Sequence, residues 1–252
     1  SEEVTEKVKS AITTLGYMPS SIARGLAGKE TKIIGVIFSD ISNPFFTSLY
    51  RGLESILSPE GYELILANTG EIDNNQEKTL QTMISRQIDG LIIAPTGRDS
   101  RMLNHLVELG IPIVLIDRVA PVEGVSIVDV DNIPAAFIAT SHLIEDGNRR
   151  IGIILGLPDV STTQTRLEGY KNALQTSNIP YREEYVINGQ SKIGGGYQGV
   201  KQLMYLNQPP EAILVINNLM TIGAFHAIRE LGLNCPIDVG LIGIDDHDWG
   251  DI

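Results

Sequence analysis

Polar and aromatic residues equipped to grip a small molecule recur directly after short apolar runs. Ser39, Asp40, Asn43, Phe45 and Phe46 follow IIGVIF; Asp117 and Arg118 follow IVLI. Asn217 and Asn218 follow AILVI, and Asp245 and Asp246 follow GLIGI with Trp249 close behind, while Arg166 lies just inside a helical segment. Carboxylates, amides and guanidiniums offer the paired donors and acceptors that match hydroxyl groups, and aromatic faces cover the C–H side of a sugar ring. The mixture suits a neutral polyhydroxyl ligand in a cleft. Arg118 and Arg166 can also accept an anion, so phosphorylated ligands stay open.

No catalytic constellation accompanies these residues. His105, His142, His226 and His247 fall on different segments, and Cys235 precedes Pro236 with no histidine at motif spacing. Neither a metal site nor a cofactor is expected, and no enzymatic role. Gly194 to Gly199 fits the GxGxxG spacing, but a polar segment at 188–192 separates it from the preceding strand. The next strand end carries Asn217 and Asn218 in place of the acidic residue that a dinucleotide site needs. A flexible entry into the following helix accounts for the glycines more simply.

The elements that must position the polar residues follow from the apolar pattern. Runs of strand length occur at 33–38, 63–67, 90–94 and 113–116, then at 151–155, 185–187, 212–216 and 239–244. Amphipathic stretches of helical length lie between them, at 45–57, 74–86, 100–109, 133–145, 165–177, 196–206 and 220–231. The alternation predicts an α/β fold of βαβ units with parallel sheets, divided near residue 131 into two lobes of roughly 100 residues each. The strand-like run 125–132 reads as the crossover. Ligands of such sheets collect beyond the carboxyl ends of the strands, which is where the polar residues sit. Asn43 and Pro44 have the types expected at the N-cap and first turn of a helix. Phe45 and Phe46 then point about 100° apart, which assigns Phe45 to the cleft and Phe46 to the core. Trp249 is expected as a cleft wall. The plainer roles are pairing of Asp117 with Arg118 at a strand end, worth only ~0–1 kcal/mol, and turn capping by Asp245 and Asp246.

The 252 residues carry a net charge of -12, so non-specific binding of nucleic acid or anionic membrane is disfavoured and any DNA contact must be local. Lys7, Lys9, Arg24, Lys29 and Lys32 gather in the first 32 residues. The single cysteine excludes an internal disulfide and fits a reducing compartment. No signal peptide or membrane-length apolar run is present, so the cytoplasm is the expected location and a membrane is not an expected partner.

Ordered segments along nearly the whole chain resemble the LacI/GalR family of bacterial transcription regulators. They are VTEKVKSAITTLGYMPSSIARGLAGKETKIIGVIFSDISNPFF, GLESILSPEGYELILANT, IDGLIIAP, GIPIVLIDR, VDVDNIPAAFIATSHLIEDGNRRIGII, RLEGYKNAL, NNLMTIGAFHAIRELG and VGLIGIDD. The resemblance implies a two-lobed fold of the periplasmic-binding-protein type, with an effector in the interlobe cleft and control of operator DNA by a headpiece. Residues 1–30 would be partial headpiece and hinge helix, 31–131 the first lobe and 132–252 the second. Asp117 and Arg118 would hold the effector from one side, and Arg166, Asn217 and Asp245 from the other. Leu26 would wedge into the minor groove, with Arg24 and Lys29 near phosphates. The helix-turn-helix and the return of the chain to the first lobe would lie outside these residues, so operator DNA would partner only a chain with the complete headpiece. The family usually forms homodimers, for which helix 45–57 is a candidate interface.

Asn218 departs from the family's usual aspartate, Asn148 from a common histidine, and Pro59 interrupts a helix end. The functional expectation is an effector-responsive regulator of transcription, the effector being a sugar or sugar derivative. The alternatives are a transporter's solute-binding protein and an α/β enzyme acting on a sugar or nucleotide.

Overall fold

The computed structural model describes residues 2–15, 30–97 and 100–246; Arg24, Leu26, Lys29 and Trp249 fall outside them. Helix α1 (Glu2–Leu15) comes first. A first α/β unit contains β1 (Ile33–Phe38), α2 (Pro44–Leu57), β2 (Glu63–Asn68), α3 (Asp73–Ser85), β3 (Gly90–Ile93), α4 (Arg101–Glu108), β4 (Ile113–Ile116) and β5 (Ser126–Val128). A second contains α5 (Asn132–Glu145), β6 (Ile151–Leu155), α6 (Ser161–Thr176), β7 (Val186–Asn188), α7 (Ile193–Met204), β8 (Ala212–Val215), α8 (Asn218–Glu230) and β9 (Gly240–Gly243).

Both sheets are wholly parallel, in the orders β2-β1-β3-β4-β5 and β7-β6-β8-β9. The second repeats the first four strands of the first. Each order reverses beside its founding strand, between β1 and β3 and between β6 and β8, and such a reversal opens a crevice at the carboxyl ends of the strands. The central strands read as unbroken apolar runs because helices cover both faces. β6 and β8 are buried at every position, as is β1 except at Ile34. Asp89 fixes the entry to β1, accepting hydrogen bonds from the backbone N–H groups of Thr31 (3.0 Å) and Lys32 (2.7 Å).

Two local expectations need correction. The run read as a crossover first forms a fifth strand, β5, paired with β4 through Val114 and Ser126. It is a sheet edge with all three residues exposed, and the chain crosses to the second unit only after it. The glycines at 194–196 are also more than a flexible entry, since they begin α7 itself. A methyl group on Gly196 would overlap the backbone of Met220, and one on Gly223 the carbonyl of Ile193, so α7 and α8 meet backbone to backbone.

Candidate functional site

The polar residues are placed by caps and strand ends. Asn43 caps α2, its Oδ1 accepting from Phe45 N at 3.0 Å, with Pro44 at the first turn. The preceding turn is held by Asp40, which accepts from Ser42 N at 2.9 Å and Ser42 Oγ at 2.7 Å. Phe46 stacks on Phe38 with ring centroids 4.9 Å apart and is 2% exposed, whereas Phe45 sits half-buried, edge-on to Phe46. Both rings border the cleft.

After β4, Asp117 adopts a left-handed backbone conformation (φ 66°). Arg118 does not pair chiefly with Asp117. Its Nη1 and Nη2 each donate to Glu71 at 2.7 Å in a two-pronged contact, and Nη1 also donates to the carbonyl of Pro95 at 3.3 Å. Only the Nε of Arg118 faces Asp117 Oδ2, at 3.5 Å, and it makes no hydrogen bond. Burial disfavours the charge on Arg118, but the bonds to Glu71 outweigh it and hold the guanidinium charged. Burial pushes the Asp117 carboxyl up to about 6; Arg118 and Arg166 pull against that shift, while Asp245 and Asp129 add to it.

The second lobe completes the site. Arg166, in the second turn of α6, donates from Nε to Asn132 Oδ1 at 2.8 Å and from Nη1 to the carbonyl of Ile216. Its Nη2 lies 4.0 Å from Asp245 Oδ1. Asn217 caps α8 by accepting from Met220 N at 2.8 Å. The lobes meet directly: Asn218 Nδ2 donates to Asn43 Oδ1, and Val119 N to Ser161 Oγ at 3.0 Å.

Asn43, Phe45, Asp117, Arg118, Arg166, Asn217 and Asp245 therefore line one narrow, predominantly polar cleft of about 40 Å³. Sequence reasoning missed Val160, Thr163 and Ser191 on the second lobe's wall, and also Glu71, which lines the adjoining opening and holds Arg118. Glu71 lies three residues past β2, in a turn at φ 63°, and the strand-end pattern that picks out the other residues extends to it; Thr163 lies in the first turn of α6, eight residues past β6. His142 and His105 lie elsewhere, exposed, His142 facing Asp146 at 3.8 Å and His105 facing Glu108 at 3.5 Å; His247 falls outside the described residues. Asn148 Nδ2 donates to the carbonyl of Leu143 at 2.8 Å, finishing α5. Among the described residues no His, Cys, Asp and Glu cluster has metal-site geometry, and no helix is long and apolar enough to cross a membrane.

A profile of periplasmic binding proteins and the sugar binding domain of the LacI family matches residues 31–248. Catabolite control protein A of Priestia megaterium is 34% identical over 242 residues, 96% of this chain and 73% of that protein. The chain belongs to the LacI family. The ribose operon repressor of Haemophilus influenzae, 33% identical, is matched over 98% of this chain and 74% of its own length. A solved structure, the transcriptional regulator CelR–cellobiose complex, superposes with a TM-score of 0.76 at 30% identity, covering 96% of this chain and 74% of that one.

Proposed function

We propose that the chain is the effector-sensing part of a DNA-binding transcription regulator, and that its effector is a sugar or sugar derivative bound between the lobes. The observation that carries this reading is the convergence of Asn43, Asp117 and Arg118 from one lobe with Arg166, Asn217 and Asp245 from the other on a single cleft. A ligand touching both walls favours one lobe arrangement, and if operator DNA favours one arrangement too, each changes the other's affinity by the same factor. Relatives named for a ribose operon and a regulator solved with cellobiose support a carbohydrate class.

In this reading residues 1–30 face DNA, with Arg24 and Lys29 at phosphates and Leu26 in the minor groove. Lobes 31–131 and 132–252 enclose the effector. The regulator works as a homodimer in the cytoplasm, without cofactor or catalysis; Ile56 on α2, 69% exposed, suits a subunit interface.

A thermal-shift screen of neutral sugars and nucleosides tests the reading, because a ligand of the native state raises stability with its concentration over Kd. Arg166→Ala and Asp245→Ala should abolish the shift of any hit, and a shift surviving in both rejects the cleft. Operator binding by the full-length gene product should change when the hit is added; constant affinity rejects the regulatory part.

A further inference from the structure

The two guanidiniums of the cleft are held by the protein's own acceptors, with only the Nε of Arg118 making no hydrogen bond. Arg118 and Glu71 form a fork-to-fork pair at 2.7 Å on both prongs, with side chains 8% and 9% exposed. Such a pair fixes both the charge and the direction of the guanidinium. Arg166 gives Nε to Asn132 and Nη1 to the carbonyl of Ile216, and faces Asp245. The two arginines share the cleft with the carboxylates of Asp117 and Asp245, and Glu71 holds Arg118 from the adjoining opening. The neighbouring interlobe opening is lined by Glu71, Asp73 and Asp159 and, among the described residues, by no cationic side chain. An anion entering there meets carboxylates first and then guanidiniums whose charge is balanced.

We infer that Glu71 is a specificity-determining residue that closes this cleft to phosphorylated and other anionic effectors by neutralising Arg118. The inference rests on the cleft being the effector site and narrows its ligands to uncharged polyhydroxyl compounds. A phosphate that took Arg118 would have to displace a buried carboxylate from a two-pronged bond and leave that carboxylate beside Asp117. Taking the charge from Glu71 removes that barrier and leaves the buried guanidinium with Asp117 alone, 3.5 Å from its Nε, so that an entering anion can take the place of Glu71.

The test uses inorganic phosphate and the matched pairs glucose with glucose 6-phosphate and ribose with ribose 5-phosphate, at constant ionic strength. Thermal shift and calorimetry are read on the wild type, Glu71→Gln and the double variant Glu71→Gln/Arg118→Gln. The wild type should show no stabilisation by phosphate, Glu71→Gln should bind it roughly tenfold or more tightly, and the double variant should lose that gain. Equal phosphate responses in wild type and Glu71→Gln overturn the inference. If Glu71→Gln does not fold, the wild type still decides: binding a sugar phosphate as well as its parent sugar overturns it. A gain of phosphate binding with no neutral sugar bound by the wild type supports the role of Glu71 and counts against the carbohydrate reading. Neutral sugar binding with Glu71→Gln indifferent to phosphate overturns the role of Glu71 alone.

Discussion

Asn218 Nδ2 donates to Asn43 Oδ1 at 2.7 Å, a buried hydrogen bond between the two lobes and across 175 positions of sequence. The same oxygen caps α2 by accepting from Phe45 N, so one side-chain atom starts a helix and fastens the cleft. Because the contact is amide to amide, it adds no charge to the site. Asparagine at 218 rather than aspartate matters for this reason: a carboxylate there would face the Asn43 oxygen, acceptor against acceptor, unless the Asn43 amide turned over and gave up its cap.

Asn43→Ala should therefore cost more than an ordinary cap. Loss of the cap contributes ~1 kcal/mol, and stranding the Asn218 donor in a buried position adds ~1–2 kcal/mol. Urea unfolding measures the sum. A change no larger than that of Asn148→Ala, which finishes α5 without joining the lobes, would show that the interlobe bond contributes nothing.

Asp117 gives the fold a pH signature. Its folded value of about 6, raised chiefly by burial, lies above the ordinary 3.8. Between those values the native state binds the proton more tightly than the unfolded chain, so this group's contribution is fully present below pH ~4 and lost as pH rises through ~6. The size is ~3 kcal/mol. Asp117→Asn has no such titration, and its stability relative to the wild type should climb by that amount from pH 4 to pH 7. Parallel stability profiles across this range would mean that Asp117 ionises as it does in the unfolded chain.

Asn132 positions Arg166 without itself lining the cleft. Its Oδ1 accepts from Arg166 Nε while its Nδ2 donates to Asp129 Oδ1 at 3.1 Å and the Val130 carbonyl at 2.8 Å, tying the lobe junction to the guanidinium. Asn132→Ala leaves a buried charged donor unmatched, which costs ~1–3 kcal/mol of stability. Calorimetry with a sugar hit should show an affinity loss of about tenfold, the equivalent of ~1.4 kcal/mol. Unaltered affinity with reduced stability would place Asn132 in the scaffold alone.

The strands and most of the residues that line the cleft were legible for one reason. A buried parallel strand is a short uninterrupted apolar run, and the first polar residue after it must sit at the sheet's carboxyl end, which is how Asp117, Asn217 and Asp245 declare themselves; Asn43 follows in the turn after β1, marked by its place before Pro44. Contacts between distant segments leave no such mark. Glu71 sits in a turn with a backbone conformation that favours glycine, and nothing near it predicts a bond to Arg118. The Asn43–Asn218 bond depends on how the two lobes close, which neither half encodes locally. The strand character of 125–132 was legible, but its pairing with β4 as the exposed edge of the first sheet was not.

The glycine-rich entry to α7 illustrates how spacing alone misleads and how packing resolves it. Gly196 and Gly223 lie where α7 and α8 touch through their backbones, and a methyl on either would overlap main-chain atoms that have no rotamer to yield. Gly196→Ala or Gly223→Ala should each cost ~3 kcal/mol or more, at the upper end for overpacked sites. Gly194, two positions earlier on the same helix, has open space around its Cα. Gly194→Ala should be neutral or stabilise by up to ~1 kcal/mol, since alanine favours the helix. Urea midpoints of the three variants separate the two accounts: equal small effects would return the segment to a flexible entry, whereas a steep loss at 196 and 223 with none at 194 identifies a backbone-packed helix pair. Because α8 begins at the Asn217 cap, loosening that pair should also displace Asn217 and Asn218, so Gly223→Ala should weaken sugar binding while Gly194→Ala leaves it unchanged.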